Sequence, residues 1–256
     1  MTSSAKGDIK SMIQSLRVPV IVLAICWLVW LIDWNYHLNL YHFGVRPRTA
    51  LGLLGIVCSP FIHDNYSYEH IVNNSSALLI LLWALFYFYK EIAWKIFLGI
   101  WLIGGLWLWC LSRDVFHIGA SGIIYGLATY IFTSGVIRKN IRLMGLSLIV
   151  AFLYGSFVWG ILPFDYLLGS HYVDLSISFE GHFWGAAAGC LLAFWYKKHG
   201  PQKKKYQWEI EEELGIEPPD FEAQLKQQEI DEAQQKSSPH RIVYTIKKTE
   251  PKKDQE

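Results

Sequence analysis

Two polar residues open apolar runs. Ser121 stands in Gly119-Ala120-Ser121-Gly122 at the head of one, and His182 stands in Gly181-His182-Phe183-Trp184-Gly185 at the head of another. A hydroxyl or an imidazole left unpaired in hydrocarbon costs roughly several kcal/mol, so polar groups at such depth find partners or perform chemistry. A serine facing a histidine suits acyl transfer: the imidazole takes the hydroxyl proton and returns it to the leaving amine. Tyr125 follows Ser121 by one helical turn on the same face, where its ring can stack on the imidazole. Glu180 lies two residues before His182, and Asp114 and Asp165 fall in loops, so no carboxylate is placed for a triad. The expected unit is a Ser–His dyad.

Acyl transfer also needs donors for the developing oxyanion. His70 and Asn74, spaced i, i+4, share a face at the start of another apolar run, and the backbone N–H of Ser121 completes the set. Asn73 lies about 100° around the helix and is turned away. Gly119 frees the turn before the serine, and Gly122 and Gly126 let a neighbouring helix approach. Gly185 and Gly189 follow His182 at i+3 and i+7, leaving gaps on the imidazole face. Each residue alone has a packing or capping explanation. Four polar residues on three helices at one membrane face, with small residues at the contacts, point to chemistry.

These residues need helices to carry them. The chain has 256 residues, 52% hydrophobic and 16% aromatic, with 12 Trp, a composition whose solvent is the bilayer. Apolar runs at residues 18–32, 74–89, 96–111, 120–137, 143–162 and 183–196 predict six membrane helices. The first follows Lys6, Lys10 and Arg17 but has no Ala-x-Ala cleavage pattern, and is read as a retained helix. Basic residues flank alternate ends of the runs: Lys90 and Lys95, then Arg138, Lys139 and Arg142, then Lys197 and Lys198. The positive-inside rule places both termini in the cytoplasm and turns loops 36–70, 112–119 and 163–181 outward. Cys26, Cys58, Cys110 and Cys190 lie in or beside apolar runs and show neither disulfide nor zinc spacing. After His199 the composition turns to Glu, Lys and Gln, predicting a soluble, mostly disordered tail, helical at most over 219–235, with a strand-like alternation at 241–246.

The separated motifs together resemble the rhomboid intramembrane serine proteases. They are Gly44-Val45-Arg46-Pro47-Arg48, Gly52-Leu53-Leu54-Gly55-Ile56 and Pro60-Phe61-Ile62-His63 in the first outward loop, His70-x-x-x-Asn74, Gly119-Ala120-Ser121-Gly122 with Tyr125, and His182-x-x-Gly185-x-x-x-Gly189. The resemblance covers roughly residues 15–198. It implies an all-α membrane protein with a six-transmembrane-helix rhomboid-like bundle, preceded by a cytoplasmic segment 1–14 and followed by a cytoplasmic tail 199–256. It also implies Ser121 as nucleophile, His182 as base, His70 and Asn74 as oxyanion partners, Gly119 in the strained turn and Tyr125 as the stacking ring. The interval from His63 to His70 is about two residues longer than the family shows, and Val45-Arg46 stands where the family carries Trp-Arg, which leaves His63 and Arg46 without assigned roles. The expected partners are transmembrane protein substrates and the lipid bilayer, with no nucleic acid, cofactor or metal, and the expected location is a bacterial inner membrane. An inactive rhomboid-like protein that binds transmembrane helices, or a small transporter using the polar cluster, are the alternatives. Against the first, this chain keeps both serine and histidine. Against the second, the polar residues gather at one face and no repeat is visible.

Overall fold

The computed structural model describes residues 3–153, 178–201, 207–215 and 220–237. Every regular element among them is helical, apart from an isolated bridge between Val45 and His117. Helix α1 (Ser3–Ser15) leads into α2 (Arg17–Tyr36). His37 ends α2 in the left-handed region, φ 52°, and returns its N–H to the Asp33 carbonyl. The Asp33 side chain is buried, and its carboxylate accepts the Leu40 N–H at 3.2 Å, fixing the turn out of α2. A short 3-10 turn (Leu40–Phe43) precedes α3 (Ala50–Cys58), whose first turn is capped by Thr49 Oγ1 accepting from Gly52 N–H at 3.0 Å. Pro60 then shapes a second 3-10 turn (Ser59–Phe61).

The bundle comes next: α4 (Glu69–Phe88), α5 (Ala93–Leu111), α6 (Ser121–Ile137), α7 (Ile141–Leu153) and α8 (Phe179–Trp195). Helix α6 is central and packs against α4, α5, α7 and α8. Its Leu127 and Ile131 meet Leu81, Leu82 and Leu85 of α4 and Ile96 and Ile100 of α5 in one buried core. Outward faces carry exposed Leu98, Leu102, Leu106, Phe194 and Trp195, the surface a lipid solvent requires. Residues 7–36, α4 and α5 are long and apolar enough to cross a membrane. Helices α6 and α8 have 17 residues each, a rise of about 26 Å, which falls short of about 30 Å of hydrocarbon.

Glycines allow α6 and α8 to touch backbone to backbone. A Cβ on Gly185 would fall 2.0 Å from the Gly122 carbonyl oxygen, and one on Gly189 would fall 2.1 Å from that of Gly126. Thr129 Oγ1 reinforces the contact by donating to the Ala186 carbonyl at 3.0 Å.

The other end of the two helices adds a contact that charge placement does not reveal. Arg138, read as a flanking charge, is buried: it donates to the Tyr196 carbonyl at 2.7 Å and to the carbonyl of His199, and lies over the Tyr89 ring. The guanidinium thereby ties the end of α6 to two carbonyls of the turn that follows α8. Helix α4 begins five residues earlier than the apolar run, so its first turns contain both His70 and Asn74.

Residues 204–256 form a separate unit containing α9 (Gln207–Glu213) and α10 (Phe221–Ser237). Asp220 caps α10, its Oδ1 accepting from Ala223 N–H at 3.0 Å, and Ala, Glu, Gln and Lys fill the helix, all good helix formers. Most of the described tail residues are helical, with α10 close to the anticipated 219–235. The strand-like residues 241–246, the end of the fifth run at 154–162 and most of the third outward loop, 163–177, lie outside the described residues.

Candidate functional site

Ser121 is the first residue of α6 and His182 lies in the first turn of α8. The glycine contact between these helices brings His182 Nε2 to 2.9 Å from Ser121 Oγ. Tyr125, one turn along α6, stacks on the imidazole with ring centroids 4.1 Å apart and planes 8° from parallel. Both Tyr125 and His182 are buried, so the ring is clamped in a plane that keeps Nε2 on the hydroxyl. Glu180 ion-pairs with Arg113 at 2.8 Å, and Asp114 with Arg46 at 2.9 Å.

A second group converges on the turn before Ser121. Gly119 has φ +103°, a conformation side-chain-bearing residues rarely adopt, and a Cβ there would fall 2.8 Å from His70 Nε2 and 3.6 Å from Asn74 Nδ2. Two causes therefore demand glycine at 119: the backbone angle and the nearness of two polar side chains. The Gly119 N–H is engaged by the Ser59 carbonyl at 2.9 Å. The N–H groups of the first turn of α6, Ser121 included, have no intrahelical acceptor and carry the positive end of the helix dipole.

The protonation of His70 is set by its partners. The Asp64 N–H donates to His70 Nδ1 at 3.4 Å, so in the neutral ring Nε2 bears the hydrogen and faces the turn as a donor. Asn74 is buried and its Nδ2 has no hydrogen-bond partner among the described residues, whereas Asn73 is exposed. An unpaired buried donor is costly, and its retention beside a serine turn calls for a use. His63 packs edge-on against the His70 ring, 5.1 Å between centroids. Burial, then the proximity of His70, pushes the His63 imidazole down to about 3, so it is neutral.

Beside Ser121 runs a crevice of about 470 Å³, open solvent at its mouth included, lined by Pro60, Trp101, Gly104, Gly105, Gly119 and Gly181 among others. Its many glycines leave room for a polypeptide backbone. His70, Asn74 and His182 border the serine turn rather than the crevice. Two crevice residues, His117 and Ser178, escaped the sequence reading and join by a 2.7 Å hydrogen bond. Each precedes a dyad residue by four positions, a spacing that was the available signal.

Arg46 and Arg48 also find places. Arg46 pairs with Asp114 over the Phe116 ring, and Arg48 donates to the Ser112 carbonyl at 2.8 Å, so both bind the segment before α3 to the α5–α6 connection.

Residues 51–199 match the model of the rhomboid domain. An uncharacterized protein of Mycobacterium tuberculosis is 33% identical over 190 residues, covering 71% of this chain and 74% of the relative, and one from Mycobacterium bovis matches to the same extent. An uncharacterized protein of Mycobacterium leprae is 30% identical over 191 residues, covering 71% of this chain and 70% of the relative. No solved structure matches.

Proposed function

Since the chain belongs to the rhomboid family of intramembrane proteases, we propose that it is an active serine endopeptidase that cuts transmembrane segments near the outward membrane face. The observation that carries this reading is the 2.9 Å contact between Ser121 Oγ and His182 Nε2 at the paired N-termini of two helices too short to span the bilayer.

A substrate helix enters the crevice, loses its local helical hydrogen bonds and presents an extended carbonyl to Ser121. Ser121 Oγ attacks while its proton passes to His182 Nε2, and Tyr125 holds the imidazole plane. Asn74 Nδ2, His70 Nε2–H and the Ser121 N–H are the donors offered to the oxyanion, with the dipole of α6 adding positive potential. His182 then protonates the leaving amine, and water repeats the sequence to free Ser121. The glycine-lined crevice favours small side chains beside the cleaved bond. Both termini lie in the cytoplasm in this scheme, the membrane is a bacterial inner membrane, and residues 15–198 are the working domain. The rival reading, capture of transmembrane helices without cleavage, has no use for an aligned hydroxyl and imidazole.

Labelling of the detergent-solubilised protein with a fluorophosphonate tests this. The wild type should label and Ser121→Ala and His182→Ala should not; equal labelling of all three would refute the nucleophile assignment.

A further inference from the structure

Four residues before Ser121 and His182, the same two segments carry a second serine and histidine with their places exchanged. His117 precedes Ser121 by four residues and Ser178 precedes His182 by four. Their bond has an assignable direction. His117 Nε2 lies 3.3 Å from the Arg113 carbonyl, which can only accept, so Nε2 carries the hydrogen and Nδ1 accepts from Ser178 Oγ–H at 2.7 Å. Ser178 Oγ in turn accepts the Gly181 N–H at 3.2 Å. Every polar atom of the pair is thus used in one orientation.

The pair is also anchored on both sides. His117 exchanges two backbone hydrogen bonds with Val45, both 2.9 Å, and is 2% exposed. Ser178 grips the first turn of α8 twice, through Gly181 and through its own carbonyl, which accepts the His182 N–H at 3.2 Å. An unbroken path of hydrogen bonds therefore runs from the first outward loop through His117 and Ser178 to the backbone of His182. Arg113, ion-paired with Glu180 and lying over the Phe179 ring, spans the same gap alongside.

We propose that His117 and Ser178 are a positioning pair, whose side-chain hydrogen bond fixes the start of α8 against the turn before α6 and so aligns His182 on Ser121. The inference rests on the serine-protease reading. Neither residue takes part in proton transfer; they act through the backbone of His182. Because Nε2 of His182 must stay within about 3.2 Å of the hydroxyl to serve as base, small displacements of this turn reach the reaction directly.

The test compares the full-length wild type with His117→Ala, His117→Asn, Ser178→Ala and the double alanine variant, measuring saturation kinetics of fluorophosphonate labelling together with thermal unfolding. Misplacement by 1 Å can cost about 100-fold in rate, so losing one of two ties predicts a fall of about tenfold in the maximal labelling rate, with half-saturation unchanged. The double variant should be no slower than either single one, since both remove one bond. Asparagine places an acceptor near the position of Nδ1, and His117→Asn should recover most of the rate. Single variants that label like the wild type would overturn the proposal, as would losses that track the unfolding temperature without rescue by asparagine. A wild type that does not label refutes the serine-protease reading instead; the tie is then decided by ¹⁵N-histidine spectra, where displaced His182 resonances in Ser178→Ala support it and unchanged ones overturn it.

Discussion

Gly185→Ala puts the helix contact behind the dyad under direct strain. The added Cβ falls 2.0 Å from the Gly122 carbonyl oxygen, whereas ordinary contact begins at 3.4 Å. The obstacle is backbone, so α6 and α8 must part by about 1.4 Å to relieve the clash, at a cost of about 1–3 kcal/mol in stability. His182 lies one turn before Gly185. Even half of that displacement stretches the 2.9 Å Ser121–His182 bond to about 3.6 Å, where it ceases to be a hydrogen bond. General-base assistance is worth about 10²–10⁴-fold, so labelling of Ser121 should fall at least about 100-fold, with a lowered unfolding temperature. Gly145→Ala serves as control. A Cβ on Gly145 of α7 meets nothing within 4 Å. That variant should label like the wild type. If Gly185→Ala also labels normally, the glycine contact does not set the dyad distance and the reasoning fails.

Asn74→Ala should lower turnover on a transmembrane substrate by about 10²–10³-fold, the usual cost of one oxyanion donor, while the exposed Asn73→Ala should change it little; the reverse order would show the wrong helix face had been chosen. Tyr125→Phe keeps the stacked ring and should retain most activity, whereas Tyr125→Leu should lose it, as read by labelling rate. Arg138→Leu leaves the Tyr196 and His199 carbonyls beyond α8 without their charged donor and should lower stability by about 1.5–3 kcal/mol per bond lost, measured by thermal unfolding. His63 fixes the sign of an acid effect: folded it takes a proton near about 3, unfolded near the ordinary 6.5, so between these values the unfolded chain binds the extra proton and stability falls as pH falls. A His63→Phe variant should show a flatter decline of unfolding temperature from pH 6.5 to 4; an identical slope would remove His63 as the cause.

Spacing along one helix and solvent preference were determined by the sequence alone. Periodicity set Tyr125 on the face of Ser121, separated Asn74 from Asn73, and put Gly185 and Gly189 on the face of His182, because a turn of 3.6 residues relates near neighbours whatever surrounds them. Apolar runs located most helices, yet α3 and the early start of α4 were missed. Thr49 caps the one, and the other begins in polar residues that hydropathy does not register. Contacts across 60 or so residues needed the tertiary structure. That Arg138 turns inward onto the carbonyls following α8, that Arg46 meets Asp114, and that His117 finds Ser178 depend on which helices abut. The close abutment of α6 and α8 depends on Gly122 and Gly185, where missing side chains let the two backbones touch. The chain encodes each face locally, and only packing decides which faces meet.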